Sequence, residues 1–286
     1  MVLALLVRPY LEGLERYRDP AWMMRFFGWV DAREWGTGLN GWWKTLLALL
    51  PLILAGVALQ WITQTWLWGL GELLLGVICL IYVLGTQGYS THLEPFLDAC
   101  EAQDETAMLA AAANFSTPES PIDPDKPLLW QITCHMLTNS NERVFAVLFW
   151  FVVLGPIGAL GVYLAGVYRD YAWRHPQERA PMIERAEQIV WVWGWIPARL
   201  AALSFAVVGS FVDAWERVMQ CHSCSLKKNE ALILEAGLGA IRIDDEESVR
   251  EAHSAEEVRA VRDLISRTVI LWVAVTAVAT LIGVVV

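Results

Sequence analysis

Charge is scarce in this chain, and basic charge is scarcer still. Only 18% of the 286 residues are charged, and 31 acids against 21 lysines and arginines leave a net charge of -10. No cluster of Lys and Arg is dense enough to neutralise a row of phosphates, so nucleic acid is excluded as a partner. Cysteine is too sparse for a disulfide-stapled secreted fold: Cys79, Cys100, Cys134, Cys221 and Cys224 form no even framework, and one lies inside an apolar run. "CHSC" at Cys221 to Cys224 joins two thiols and an imidazole, but no second CxxC or spaced His pair accompanies it, so no metal site is read from it. His92, His135, His175 and His253 are scattered without ligand spacing. There is no GxSxG, HExxH or kinase signature, and the GxG of "EAGLGAIRI" is followed by neither a helix N-terminus nor GK[ST]. These absences leave no catalytic residue, metal or cofactor to expect. The opening "MVLALLVRPYLEGLERYR" lacks the small-residue cleavage site of a signal peptide and is too short in its apolar run to cross a bilayer. It reads as a retained, partly inserted amphipathic helix.

What the chain has in abundance is apolar sequence. Hydrophobic residues make up 56%, the mean hydropathy is +0.41, and sixteen tryptophans cluster at the borders of apolar runs, as in the aromatic belts of membrane proteins. The expected class is an all-α, polytopic integral membrane protein with four or five transmembrane or re-entrant helices.

Seven regions follow from composition. Residues 1–42 hold N-terminal amphipathic or interfacial helices, and 43–85 form a transmembrane hairpin from two runs of about 18 to 20 residues, enough for roughly 30 Å of hydrocarbon. Residues 86–143 make an acidic extramembrane loop with an alanine-rich helix and the proline-rich linker "STPESPIDPDKP". A broken transmembrane helix occupies 144–167. A polar helix and then a crossing or re-entrant segment fill 168–215, a charged helical segment spans 216–267, and 268–286 is a terminal transmembrane helix. If the apolar sequence around Pro197 crosses, the N-terminal segment through Lys44, the 86–143 loop and the 216–267 segment share one face with sixteen of the twenty-one basic residues, against four between Arg169 and Arg185, which makes that face cytoplasmic.

Ionisable groups at membrane depth are costly unless partnered, so the few present are the candidate site. Asn141, Glu142 and Arg143 stand at the mouth of the broken span, where they could pair or hold a polar ligand; interfacial anchoring is the plainer alternative. Gly155, Pro156 and Gly158 break that span and free carbonyls, as happens beside a cavity or at a packing kink. Arg199 follows Pro197 inside apolar sequence and must meet a carboxylate, a phosphate or the interface; Glu72, Glu142 and Asp213 are the acids on offer. The expected partners are membrane lipid, a small polar ligand at these residues, and a membrane partner or a second copy, which small residues such as Gly161 and Ala165 permit.

The phrases "NERVFAVLFWFVVLGPIGALGVYL", "WVWGWIPARLAAL" and "LILEAGLGAIRI", followed by a terminal apolar run, resemble the AmpE family of the AmpE/CobD/CbiB superfamily, over essentially the whole chain. The resemblance implies a CobD/CbiB-like helical fold in the bacterial inner membrane. It also implies a signalling modulator acting beside the anhydro-muropeptide amidase AmpD in β-lactamase induction and cell-wall recycling. The CobD/CbiB branch joins an aminopropanol unit to a corrinoid carboxylate through an amide bond. Phe149-Trp150, Gly155-Pro156, Gly158-Ala159 and Pro197 to Leu200 match that branch. Leu154 stands where the branch has the first glycine of its turn, "AGVYRDY" replaces its acidic segment, and "ANFST" stands in place of its arginine-aspartate-threonine motif. These departures imply a scaffold kept without its enzymatic substrate contacts.

Overall fold

The computed structural model describes residues 20–33, 41–64, 70–85, 89–123, 125–174, 176–221, 228–243 and 254–282. The amphipathic helix expected at the N-terminus, the residues after Cys221 in "CHSC" and the "DDEES" stretch lie outside the described residues. Among the described residues every regular element is helical and none is a strand. In chain order they are α1 (Ala21–Asp31), α2 (Gly41–Gln64), α3 (Leu70–Gly85), α4 (Tyr89–Glu101), α5 (Glu105–Ala112) and α6 (Leu128–Ser140). A π-helical turn (Asn141–Phe145) then leads into α7 (Ala146–Leu154), α8 (Pro156–Trp173), α9 (Pro176–Val208), α10 (Phe211–Gln220), α11 (Asn229–Ala240) and α12 (Ala255–Leu281).

Among the described residues three stretches are long and apolar enough to cross a membrane: Trp42–Ile62, Arg179–Val208 and Ala255–Leu281. Their surfaces carry the exposed apolar side chains that lipid would cover, among them Leu54, Trp61, Val207, Ile270 and Val275. Within the described residues of the second arm of the expected hairpin the apolar helix is shorter, Leu74–Leu84. The expected span over 144–167 is two helices, α7 and α8, parted at Gly155.

The chain divides into two compact units, residues 1–87 with 146–193, and 88–145 with 194–286. In the first unit α8 is the hub, packed on α1, α2, α3 and α7. Its small residues let the neighbours approach: a side chain on Gly161 would lie 3.0 Å from Trp193, and Gly56 of α2 faces Leu160. Gly161 and Ala165, read from the sequence as a face for a second copy, are thus buried within the unit. The break between α7 and α8 has a backbone cause. Gly155 adopts φ 72° and ψ −157°, a conformation essentially confined to glycine, and Pro156 starts α8 where no intrahelical N–H is needed. Past the turn, a Cβ on Gly158 would lie 2.2 Å from the Trp150 carbonyl oxygen, so the two helices touch backbone to backbone. At the far end of α8, Tyr168 shares a hydrogen bond with Thr45 (3.1 Å), and Arg179 pairs with Asp31 (3.4 Å) while stacking on Tyr171.

The second unit is a helical core of Phe96, Ile132, Met136, Leu137, Phe145, Phe205, Ile233, Leu238, Val258 and their neighbours. Two of its helix starts are capped as their sequences dictate. Asp104 accepts from the backbone N–H groups of Thr106 and Ala107 at the start of α5, and Ser254 with Glu257 forms a capping box on α12. The proline-rich linker is held by Gln131, whose amide accepts from the Asp123 N–H (2.9 Å) and donates to the Asp123 carbonyl (2.7 Å). The two glycines of "EAGLGAIRI" are packing glycines: a Cβ on Gly237 would lie 2.5 Å from Leu137, and one on Gly239 would lie 2.6 Å from the Ala214 Cα.

Candidate functional site

The polar residues that matter in the second unit converge on Gly194. Asn141 opens the π-helical turn, where one extra residue per turn loosens the regular ladder and re-aims side chains, a feature common at functional sites. It is 3% exposed. Its amide nitrogen donates to the Gly194 carbonyl at 3.3 Å, while its Oδ1 is buried without a hydrogen-bond partner among the described residues. Asn229, the first residue of α11 and itself buried, reaches the same glycine. Gly194 makes room for both amides, since a Cβ there would stand 3.0 Å from the Asn141 nitrogen and 3.3 Å from the Asn229 nitrogen.

Arg199 completes the cluster. Its Nη1 donates to the Trp195 carbonyl (2.6 Å) and to Asn229 Oδ1 (3.1 Å), and its guanidinium lies 3.9 Å from the Trp195 ring centroid. The i, i+4 spacing of Trp195 and Arg199 puts indole and guanidinium on one helix face, where stacking and a planar donor fork both favour arginine over lysine. Pro197 has a local consequence too. Lacking an N–H, it leaves the Trp193 carbonyl without its usual helical donor, and the Trp150 indole N–H fills that role at 2.8 Å.

The structure therefore gathers Asn141 and Arg199 of the residues expected from sequence. Glu142 and Arg143 are half-buried beside Asn141 and both are engaged in polar interactions. The charge of Arg143 is felt at His135 of α6, whose imidazole is held below its ordinary range first by burial and then by that cation. His135 also meets the Ser120 hydroxyl at 3.3 Å. Gly155, Pro156 and Gly158 belong to the other unit, where they build the α7–α8 break. Asp213, one of the acids expected for Arg199, is bonded to Ser210 and Arg242, which hold its carboxyl below the usual range. Gly194, Trp195 and Asn229 were not singled out from the sequence. Trp195 was signalled by its spacing to Arg199, whereas Asn229, thirty residues away, carried no local signal. Among the described residues no three His, Cys, Asp or Glu side chains come close enough to hold a metal.

A helical chain with three membrane-length helices and a polar cluster built around an arginine in one of them is a membrane protein of the all-α class. The family model described as "Regulatory signalling modulator protein AmpE" matches residues 39–286, and the chain belongs to that family. It is also similar to two proteins named "Cobalamin biosynthesis protein CobD". One, from Stutzerimonas stutzeri, is 28% identical over 227 residues, covering 76% of this chain and 69% of the relative. The other, from Chromobacterium violaceum, is 26% identical over 227 residues, covering 79% of this chain and 66% of the relative. The chain thus spans about two thirds of the length of these relatives. No solved structure matches it.

Proposed function

We propose that the protein is a non-catalytic sensor or signalling modulator of the bacterial inner membrane, acting in β-lactamase induction and cell-wall recycling. It senses by holding a small polar ligand at Asn141, Arg199 and Asn229. The observation that carries this reading is the buried Asn141 Oδ1. An acceptor removed from water without a donor costs about 1–3 kcal/mol, and a ligand N–H or O–H placed there recovers it. Arg199, oriented by Trp195 and Asn229, supplies the cation for an acidic group on the same ligand. The cluster consists of amides, a guanidinium and an indole, none of which is a nucleophile or exchanges a proton near neutral pH, and this supports a binding role over a chemical one.

A second reading has one observation in its favour, the similarity to two CobD proteins: an enzyme joining an aminopropanol unit to a corrinoid carboxylate. The two are separated by titrating the purified, membrane-reconstituted protein with an anhydro-muramyl peptide, and in parallel with ATP, aminopropanol and a corrinoid acid. The sensor reading expects saturable binding of the muramyl peptide, weakened at least tenfold, about 1.4 kcal/mol, by Arg199→Ala. Amide formation on the corrinoid would overturn it in favour of the enzyme.

A further inference from the structure

The apolar sequence around Pro197 runs on to Trp215, but the helix does not. α9 stops at Val208. Gly209 and Ser210 turn the chain onto α11, where the Ser210 N–H donates to the Ala240 carbonyl and a Cβ on Gly209 would lie 2.5 Å from that same oxygen. α10 then begins and shows three distinct sides. Ala214 is 1% exposed, packed where Gly239 lets the two backbones meet. Arg217 reaches back to α11, bonding Glu235 (3.1 Å) and the Ile243 carbonyl, and Asp213 is held by Arg242 (2.7 Å). The remaining side carries Phe211, Val212, Trp215 and Met219, exposed by 49%, 71%, 54% and 69%. Their spacing of i, i+1, i+4 and i+8 lines them along one stripe, and the Phe211 and Trp215 rings stack.

The depth of this stripe can be read from the neighbouring span. The Trp272 indole of α12 donates to the Ser204 hydroxyl of α9 at 2.9 Å, so these residues lie at one level. Trp272 is five residues, about 8 Å, beyond Arg267, the last charge before the uncharged run of α12. Ser204 is in turn one helical turn from the end of α9. The hydrocarbon centre is no place for α10, because Asp213, Glu216, Arg217 and Arg242 would accompany it there. Bulk water is no better, since it would leave four contiguous large apolar side chains uncovered beside the end of a membrane-length helix.

We infer that α10 is an in-plane interfacial helix, seating Phe211, Val212, Trp215 and Met219 at the boundary between lipid headgroups and acyl chains. The partner is the bilayer surface itself. With two acids and one arginine, and that arginine committed to α11, adhesion comes from apolar area and not from attraction to anionic lipid.

The test uses the full chain in phosphatidylcholine vesicles containing a phospholipid with a photoactivatable diazirine, placed either near the acyl carbonyl or near the acyl terminus. Adducts are mapped by peptide mass spectrometry. The inference expects the shallow probe to mark Val212, Trp215 and Met219 at least fivefold more than the deep probe. Replacing half the lipid with phosphatidylglycerol should leave that yield unchanged, while Val275 and Val278 of α12 take the deep probe. It is overturned if α10 stays unmarked while α12 is marked, or if the deep probe dominates on α10. In the double variant Val212→Glu with Met219→Glu, adducts on Trp215 should fall several-fold with those on α12 unchanged. If that variant does not fold, the depth profile of the native chain decides alone.

Discussion

At the scale of single residues, Asn141 separates stability from function. Leucine is close to it in volume and has no acceptor to leave unsatisfied, but it forfeits the 3.3 Å bond to Gly194. The recovered penalty of about 1–3 kcal/mol offsets a bond worth about 1 kcal/mol. Asn141→Leu should therefore melt at the same temperature as the native protein or higher, in detergent without ligand, while losing muramyl-peptide binding. A fall of several degrees would show that the orphan acceptor has a partner after all. Arg199→Lys should behave like Arg199→Ala in the same binding titration, because an ammonium lacks the planar guanidinium face that lies 3.9 Å from the Trp195 ring centroid and the fork that matches an acidic group. His135 makes a statement about pH. Its folded imidazole is held below the unfolded value of about 6.5, so the unfolded chain takes up the proton first as pH falls. Its stability contribution is complete above that value and is lost as pH drops through it toward the folded value. A chemical unfolding series from pH 7.5 to 5.5 should lose stability in the native protein, with a shallower slope in His135→Gln. Arg199 was legible in the sequence because a lone guanidinium in apolar surroundings must be partnered. Its partner Asn229 was not, because a neutral amide at the start of a distant helix has no periodicity or charge to mark it.

At the scale of elements, the glycines make predictions that differ among themselves. Gly158→Ala drives a methyl to 2.2 Å from a backbone oxygen that has no room to withdraw, and Gly155→Ala demands a positive φ of 72°. Each should cost about 1–3 kcal/mol or more in thermal or denaturant unfolding. Gly166, in the same helix α8, has nothing within 4 Å of its would-be Cβ. Gly166→Ala should be neutral or stabilise by up to about 1 kcal/mol through helix propensity. Equal losses at all three positions would mean the α7–α8 turn is not built as described. The elements themselves were largely visible: uninterrupted apolar runs announced α2 and the end of α12, and a Gly-Pro dipeptide marked where α7 gives way to α8. What hydropathy could not show is where an apolar run stops being one helix. Over 189–215 the average stays high through Val208 and into α10, although there the apolar residues form a stripe and not a cylinder. Only the bonds of Ser210, Asp213 and Arg217 to α11 and its following residues reveal the difference.

At the scale of the whole molecule, topology follows from basic-residue asymmetry together with one long helix. If Arg179–Val208 crosses the bilayer, then Arg174 lies on the opposite side from Lys126 and Arg259. Single cysteines at these positions, in a cysteine-free background, should divide accordingly when intact cells are treated with a membrane-impermeant maleimide: Arg174→Cys is labelled, and the other two only after lysis. Labelling of all three together would make α9 re-entrant and remove the basis for assigning the cytoplasmic face. The pairs Arg262–Glu94 (2.9 Å) and Arg259–Glu101 join α12 to α4, but as largely exposed pairs they contribute at most about 1 kcal/mol each.

The π-helical turn at Asn141–Phe145 has an evolutionary reading as well as a structural one. Such a turn is a helix carrying one surplus amino acid, so excising a single codon there would let α6 run straight into α7 without a second compensating change. Gene lineages that abandoned the acceptor at Asn141 should bear a one-residue gap at this spot, and lineages that kept it should not. Aligned genomes can thus test, by counting letters, whether the proposed ligand acceptor and the surplus residue come and go together.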